Sequence, residues 1–468
     1  MQTTHRHFGT ISFYKRALFI ALPVMAQMLI QNLVSLIDNF MVSGLGDIKM
    51  SGVNITGQIL FVFMVFMNTI CMSGGIFMTQ FSGAKDKEGM KQSFCFKLLF
   101  GFFSVILFMI VCMCVPRVFL RLMVLGNSQA DEIIDVAAEY MVLMGFIGVP
   151  MMISNAISSS LREIGRVKVP LVISVIATCI NTFFNWILIY GNLGAPRLEV
   201  RGAAFATIIA RTVEMISFIA YVAVKKPPFA IKLRDMLHIN FKLIKEIFKK
   251  GSMILTSEML WVLSETITTA LYNGRGGADV VSGMAAGFAI ANLFFVAFGG
   301  ITTSTSVIIG QTLGQGKLDE ARRQKNWLLN ASFIFGIFMG LFGLATMLLV
   351  PVVFGNLSES ARGITNMMVL FMSVFMPVWV YVNAQFAVSR AGGDTAMGMW
   401  IDITTNLALV LPGMFIMTFC TNFGPVAMYV IIKFVDFIKV AIAHFWLKKE
   451  KWVRNLAEMN KQSGEATA

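Results

Sequence analysis

The sequence predicts an all-α integral membrane protein that crosses the bilayer twelve times. Of its 468 residues, 57% are hydrophobic and only 13% are charged, whereas soluble domains carry about 25% charged residues. Apolar runs of about twenty residues, each long enough to cross a bilayer as a helix, recur along the whole chain. Helices are expected because they satisfy their own backbone hydrogen bonds, which lipid cannot do.

Twelve apolar runs are the predicted spans, separated by polar segments that contain glycine or proline. They cover about 17–43, 54–81, 92–115, 133–154, 169–190, 202–223, 251–272, 281–309, 327–350, 364–387, 397–418 and 424–446. Several of these runs exceed the length needed to cross a bilayer, so tilted or kinked helices are expected.

The basic residues orient these spans. With the N-terminus inside the cell, cytoplasmic segments hold 27 of the 38 lysines and arginines, external loops hold 7, and 4 fall within spans. This bias predicts that both termini lie in the cytoplasm. The net charge of +13 is therefore a topology signal, and nucleic acid is not an expected partner.

The spans divide the chain into two lobes of six helices. The first lobe is predicted over 1–224 and the second over 251–447, with a cytoplasmic tail over 448–468. Between the lobes, 225–250 is a basic, amphipathic connector expected along the inner leaflet. The six cysteines lie in apolar segments and the four histidines are scattered, so no resident metal cofactor is expected.

Short motifs recur in the two halves at a near-constant offset, which indicates an internal repeat. TQFSGAKDKEG at 79–89 matches GQTLGQGKLDE at 310–320, and NAISSSLREIG at 155–165 matches NAQFAVSRAGG at 383–393. Six spans per copy is an even number, so both copies enter the membrane in the same direction. A pseudo-twofold axis along the membrane normal follows, as in transporters with parallel repeats. A channel, receptor or membrane enzyme could also be duplicated.

Span 1 carries a carboxylate, Asp38, with no lysine or arginine within one helical turn. Gln27, Gln31 and Ser35 precede it by 11, 7 and 3 residues, so all four share one helical face. An ionised carboxylate in a bilayer must be hydrated, paired or neutralised, and the stripe therefore predicts a wet cavity or a polar neighbouring helix. Pro23 removes a helix hydrogen bond and predicts a bend. The alternative is a buried aspartate of purely structural use.

Spans 4 to 6 offer partners for this carboxylate. Asn181 and Asn185 lie four residues apart on one face of span 5, Thr207 is a lone hydroxyl near the start of span 6, and Asn155 ends span 4. Carboxylate, amide and hydroxyl oxygens are hard ligands of the kind that Na⁺ requires. The same aspartate could bind a proton instead, and the asparagine pair could simply join helices.

Span 7 carries Glu258 and Glu265 seven residues apart, beside Trp261. Acids next to aromatic rings suit a lipophilic cation, and the alternative is a polar seam between helices. Asp402 follows a turn, GGDTAMG, and is expected near the cytoplasmic interface.

Two further acids are expected to form pairs within their own helices. Glu214 follows Arg211 by three residues, and Asp436 has Lys433 and Lys439 three residues away on either side. Local compensation of charge is therefore predicted at both acids.

Taken together, these motifs resemble the MATE (multidrug and toxic compound extrusion) family of the multidrug/oligosaccharidyl-lipid/polysaccharide exporter superfamily, over about 14–450. The resemblance is carried by Pro23…Asp38…GLG in span 1, LREIGRVKVP (161–170), NTFFNWILIYGNLG (181–194), VRGAAFAT (200–207) and SRAGGDT (389–395). It implies a monomeric antiporter, not an enzyme. Such a protein exports organic, typically cationic and amphipathic compounds in exchange for Na⁺ or H⁺, through a V-shaped cleft between two lobes.

The resemblance also implies a first-lobe cation site at Asp38, Asn181, Asn185 and Thr207. Some relatives have an aspartate where this chain has Asn185, and some carry an acid on span 10, which MPVWVYVNAQFAVSR (376–390) lacks. Glu258, more than Glu265, is therefore expected to be the acid of the second lobe.

Two other functions remain as alternatives. A flippase for lipid-linked oligosaccharides, of the same superfamily, would need a cleft rich in basic residues for pyrophosphate, yet the spans hold only four lysines or arginines. A membrane enzyme would need a catalytic constellation, and no motif at catalytic spacing supports one.

Overall fold

A computed structural model describes residues 8–123, 130–232, 235, 239–355 and 357–465, and these ranges contain helices without strands. In chain order, helices α1 to α18 are Ile11–Ser43, Asp47–Gly83, Lys87–Met113, Pro116–Met123, Ala130–Met144, Gly148–Glu163, Lys168–Tyr190, Glu199–Lys225, Phe241–Asn273, Ala278–Gly314, Leu318–Thr346, Val350–Val353, Glu359–Ala391, Ala396–Asp402, Leu411–Cys420, Pro425–Lys433, Val435–Lys448 and Leu456–Glu465. A π-helical segment, Ile403–Val410, joins α14 to α15.

The described helices confirm the predicted spans. Ten stretches are long and apolar enough to cross a membrane, and they match predicted spans 1 to 6 and 8 to 11. Spans 7 and 12 correspond to α9 and to the pair α16 and α17. The helices generally extend beyond the apolar runs, because polar ends continue the same backbone hydrogen bonding. One such difference is in span 4, which runs to Glu163 instead of ending near 154.

The predicted connector differs from the structure in its second part. Helix α8 ends at Lys225, and Lys226 has a left-handed φ of 41°. Helix α9 begins at Phe241 and continues without interruption to Asn273, while 233–234 and 236–238 lie outside the described residues. Residues 241–250 are therefore an extension of span 7 and not a separate interfacial helix.

Packing divides the helices into two units. The N-unit comprises Ala26–Met78 and Asp86–Ile247, and the C-unit comprises the described residues of Met1–Met25, Thr79–Lys85 and Phe248–Ala468. Helix α1 therefore passes from one unit to the other two residues after Pro23, which lies inside the helix. The lobe boundaries given by the sequence stay a prediction.

The repeated motif around Gly165 and Gly393 forms the same helix end twice. Both glycines have left-handed φ values, 84° and 75°, which glycine adopts without steric cost. In each copy the next residue donates its N–H to the carbonyl five residues earlier, at 2.8 Å for Arg166 and 3.0 Å for Asp394. This is the Schellman arrangement, and its recurrence supports the internal repeat.

The other repeated motif makes a reciprocal contact within the C-unit. Gly83 packs against the backbone carbonyl of Gln311, and Gly314 packs against that of Gln80. When residue i meets j′ and i′ meets j, the two copies are related as a twofold axis would relate them. Both glycines lie at helix ends, where the missing side chain lets two backbones touch.

The segment after α17 packs in the C-unit. The Trp452 side chain is 1% exposed, and its backbone carbonyl lies against Gly392. The Leu456 N–H donates to Gln80 Oε1 at 2.7 Å, and Gln80 Nε2 donates to the Ala391 carbonyl at 2.8 Å. Part of the predicted C-terminal tail is therefore an ordered element of the fold.

The glycine contact can be tested by Gly83→Ala. A Cβ at Gly83 would collide with the backbone of Gln311, so we expect a loss of about 1–3 kcal/mol of stability. Gly57→Ala, on the same helix, is the control, because nothing lies near its ideal Cβ and alanine favours the helix by about 0.5–1 kcal/mol. Thermal unfolding of the two variants in detergent measures the difference. Equal melting temperatures would contradict the close approach.

Candidate functional site

Four predicted site residues meet in the N-unit, on α1, α7 and α8. Asn185 Nδ2 donates to Asp38 Oδ1 at 2.7 Å and lies 3.4 Å from Asn181 Oδ1. Asn181 Nδ2 in turn lies 3.4 Å from Thr207 Oγ1. The contact between the asparagines follows from their spacing, since residues four apart lie on one face of a helix. The result is a row of oxygen-bearing side chains that begins at Asp38.

The electrostatics of this row favour a cation. Within the described ranges, no lysine or arginine forms an ion pair with Asp38, which is half-buried. Asn185 is 2% exposed, and among the described residues its Oδ1 has no hydrogen-bond partner. A buried acceptor without a donor costs about 1–3 kcal/mol. One carboxylate and one unpaired amide oxygen are therefore available as ligands.

Tyr190 holds the two helices of the site together near their ends. Its hydroxyl donates to the Met41 carbonyl at 2.9 Å, joining the end of α7 to the last turn of α1. That carbonyl is one of the four that a helix C-terminus leaves without an intrahelical donor. The bond lies three residues beyond Asp38 and five beyond Asn185, so it supports their contact.

Two predicted residues lie outside this hydrogen-bonded row. Asn155 is half-buried on α6, and across the described residues no hydrogen bond links it to the row; Gln31 is exposed on α1. Gln27, from the same polar stripe, donates to Ser174 at 2.8 Å and lies 3.5 Å from the Arg162 guanidinium. The N-terminal end of the polar stripe, at Gln27, thus contacts polar side chains of α6 and α7.

A buried ion pair in the N-unit was missed by sequence reasoning. Lys97 is fully buried, and its Nζ lies 2.5 Å from Glu163 Oε2. The carboxylate was assigned to a loop because span 4 was ended too early. The signal that could have revealed the pair is the dipeptide Gly74–Gly75 in α2, since a Cβ at either position would collide with Lys97 or Glu163.

The predicted pair of Arg211 and Glu214 is confirmed, at 2.8 Å. Glu214 also accepts a hydrogen bond from Ser174 at 3.0 Å. This acid is therefore compensated by its own helix and by α7, as the sequence indicated.

Both acids of span 7 have cationic partners. Glu258 pairs with Arg390 at 2.9 Å, and Glu265 pairs with Lys433 at 3.2 Å. Trp261 is exposed on the same helix. The assignment of Glu258, Glu265 and Trp261 to a substrate cleft stays a prediction, but the two carboxylates are not free.

Asp402 and Asp436 share one cation in the C-unit. Asp402 is buried and pairs with Lys439 at 3.3 Å, and its expected place near the cytoplasmic interface stays a prediction. Asp436 lies 3.9 Å from Lys439, which confirms one predicted partner, whereas Lys433 forms its ion pair with Glu265 and attracts Asp436 without an ion pair. Sequence spacing identified the possible basic partners of each acid. The rotation of the neighbouring helices determines which of them forms the ion pair.

The fold and these sites define a polytopic α-helical membrane protein with two repeated halves and a carboxylate–amide cluster in the first. The MatE family model matches it twice, over 23–187 and 254–416, and the chain belongs to the MatE family. The two matches fall one in each predicted lobe.

Known proteins similar to the chain carry related names. It is 23% identical to "Probable multidrug resistance protein NorM" of Thermotoga maritima, over 70% of this chain and 69% of that protein. The identity is 24% with the protein of the same name from Halalkalibacterium halodurans, over 70% of each. The fold is similar to "Outward-facing conformation of a multidrug resistance MATE family transporter of the MOP superfamily", with a TM-score of 0.82, 20% identity and coverage of 94% and 96%. Such structures have twelve helices in two lobes.

The buried pair can be tested by removing one charge or both. Lys97→Met leaves Glu163 buried without its cation, and we expect a loss of about 3–5 kcal/mol. Lys97→Met combined with Glu163→Gln removes both charges and should be less damaging than the single change. Thermal unfolding in detergent compares the variants. A double variant less stable than Lys97→Met would contradict the interpretation as an ion pair.

Proposed function

We propose that this protein is a secondary antiporter that exports small organic compounds in exchange for Na⁺ or H⁺. The observation that carries the proposal is the state of Asp38, which lies among oxygen-bearing side chains, with no ion-pairing lysine or arginine in the described part of the chain. An ionisable group placed within a membrane segment in this way is a candidate for reversible cation binding.

The chemistry of the site suits a small cation. Asp38 supplies the negative charge, and the unpaired Oδ1 of Asn185 supplies a neutral oxygen beside it. A bound Na⁺ would use both oxygens, and a proton would need only the carboxylate. Either ion would neutralise the charge and compete with the Asn185 donor for Asp38.

Exchange requires that this neutralisation changes the preferred conformation. A ligand shifts a conformational equilibrium only by its difference in affinity for the two states. In the proposed cycle, ion binding at Asp38 lets α1 rebend near Pro23 and favours release of the organic substrate. The protein then turns inward, releases the ion to the cytoplasm and takes up the next substrate.

The identity of the substrate is inferred from relatives and charge. Two similar proteins are named as probable multidrug resistance proteins, which supports small organic compounds of varied structure. We propose cationic, amphipathic compounds, exported across a bacterial cell membrane by a monomer with both termini in the cytoplasm. The apolar spans support a place in the membrane, and the excess of basic residues in the cytoplasmic segments supports this orientation.

The flippase alternative is less well supported. A pyrophosphate group would need basic side chains that are free to bind it. The four basic residues predicted within spans all pair with carboxylates in the structure: Lys97, Arg211, Lys433 and Lys439. This observation favours the antiporter.

The decisive variant is Asp38→Asn in proteoliposomes with an imposed Na⁺ or pH gradient and a fluorescent organic cation. The amide retains the shape of the side chain but carries no negative charge, so it cannot take up a proton or attract Na⁺ as the carboxylate does. We expect gradient-driven transport to fall to the rate of protein-free liposomes. Normal yield and size-exclusion behaviour serve as the control for insertion. Transport at the wild-type rate would contradict the proposal.

The asparagines provide a graded test of the same site. Asn185→Ala removes both the donor to ionised Asp38 and the amide oxygen proposed as a Na⁺ ligand. If Na⁺ is the coupling ion, its concentration for half-maximal transport should rise about tenfold, the equivalent of one hydrogen bond to a charged group. If H⁺ is the coupling ion, half-maximal transport should instead shift to higher pH, because the ionised carboxylate loses its donor. Asn155→Ala removes an amide of the same kind outside the row. It should leave the ion dependence unchanged, and equal effects of the two variants would place the site elsewhere.

A further inference from the structure

The paired acids and bases in the middle of the C-unit do not balance in charge. Seven ionisable side chains on α9, α13, α14, α16 and α17 form two ion pairs and one group of three: Glu258 with Arg390, Glu265 with Lys433, and Lys439 with Asp402 and Asp436. Four are acids and three are bases, so one negative charge is in excess. Within a membrane segment such a charge requires a proton or a cation as its partner.

The hydrogen bonds show where the excess resides. Lys439 Nζ lies 3.3 Å from Asp402 Oδ1 and 3.2 Å from Asn406 Oδ1, but 3.9 Å from Asp436 Oδ1. Asp402 also accepts hydrogen bonds from the Ser257 hydroxyl and from Asn406 Nδ2. Asp402 thus accepts hydrogen bonds from three donors, one of which is the Lys439 ammonium. Asp436 shares that ammonium at a longer distance.

An aromatic cluster adjoins the less compensated carboxylate. Trp379 Nε1 donates to Asp436 Oδ2 at 2.8 Å, and the Trp379 ring lies 5.8 Å from the ring of Phe375. Phe375 in turn contacts Phe434 at 5.5 Å and Phe437 at 5.8 Å. Phe434 and Phe437 are 56% and 49% exposed and the Asp436 side chain is 16% exposed, so the cluster and the carboxylate both reach the surface of the C-unit.

A carboxylate beside aromatic rings has the chemistry of an organic-cation site. The ring faces attract a cation through their quadrupole, and they bind an apolar body by contact and desolvation. A hydrated Na⁺ gains nothing from four aromatic rings. The surroundings therefore favour a monovalent cation with an apolar body.

We propose that Asp436, with the rings of Phe375, Trp379, Phe434 and Phe437, binds the charged group of an organic monocation in the C-unit. The inference rests on the proposed function, since this cation would be the exported substrate. It moves the substrate acid from span 7 to span 12, because Glu258 and Glu265 already have cationic partners. The excess of one charge sets the preferred ligand charge at +1.

The test is equilibrium binding of ethidium, an aromatic monocation, to the full-length protein in nanodiscs without any ion gradient. Asp436→Asn removes the excess charge and should raise the dissociation constant about tenfold or more. Asp402→Asn should also weaken binding, because it frees Lys439 to neutralise Asp436. Asp319→Asn, at a carboxylate that is 91% exposed on α11, is the matched control and should bind as the wild type does.

Restoring the charge count separates a binding role from a structural one. Asp402→Asn combined with Lys439→Gln again leaves one excess negative charge, so ethidium affinity should return to within about threefold of wild type. Failure of this double variant to bind, despite a normal elution profile, would overturn the charge argument. Phe437→Ala removes an exposed ring and should weaken binding without unfolding the protein.

Other results would also overturn the proposal. If Asp436→Asn binds ethidium normally, the carboxylate is not part of an organic-cation site. If only the Na⁺ or pH dependence of transport changes in that variant, the group binds a small ion instead. Because binding is measured at equilibrium, it can succeed even when gradient-driven transport fails, so failure of the antiporter proposal is distinguishable.

Discussion

The structure depends on one constraint, the neutralisation of charge inside a membrane. Several ionisable side chains in the helices meet it with a partner on another helix, as Lys97 does with Glu163 and Glu265 does with Lys433. These pairs fix the rotation of the helices that carry them, since a helix turned away would leave a buried charge alone. Against that background, the carboxylates with weaker compensation, Asp38 and Asp436, are the ones we propose as ligand-binding groups.

The repeat places side chains of different charge at equivalent positions of the two halves. Arg162 and Arg390 occupy equivalent positions, and each approaches the first helix of its own half, at Gln27 and Glu258. Those two partners also stand at the repeat offset, so the same contact carries an amide in one half and an acid in the other. A second equivalent position with a different charge is Ser174 and Asp402, whereas Arg211 and Lys439 carry the same charge. The two halves therefore share positions and contacts but differ in charge at some of them.

Local patterns were sufficient to predict most of the fold and one site. Apolar runs predicted the spans, and the contact between Asn181 and Asn185 follows from helical spacing alone. The position of Asp38 beside them needed the resemblance to a family as well, because it depends on how α1 packs against α7. Pairs such as Glu265 with Lys433 are 168 residues apart and depend on the rotation of two helices. Hydropathy and spacing contain no information on that rotation. The sequence therefore pairs Lys433 with Asp436, which is nearer along the chain.

Helix α1 offers a link between ion binding and a conformational change in the proposed cycle. Its first part packs with the C-unit and its second part, which carries Asp38, packs with the N-unit. The change of unit falls beside Pro23, where the helix lacks a backbone hydrogen bond and bends at the lowest cost. Neutralising Asp38 alters the preference of one end of this helix for its surroundings, while the other end stays with the unit that contains Asp436. In the proposed cycle, a helix shared in this way transmits ion occupancy as a change in its own bend.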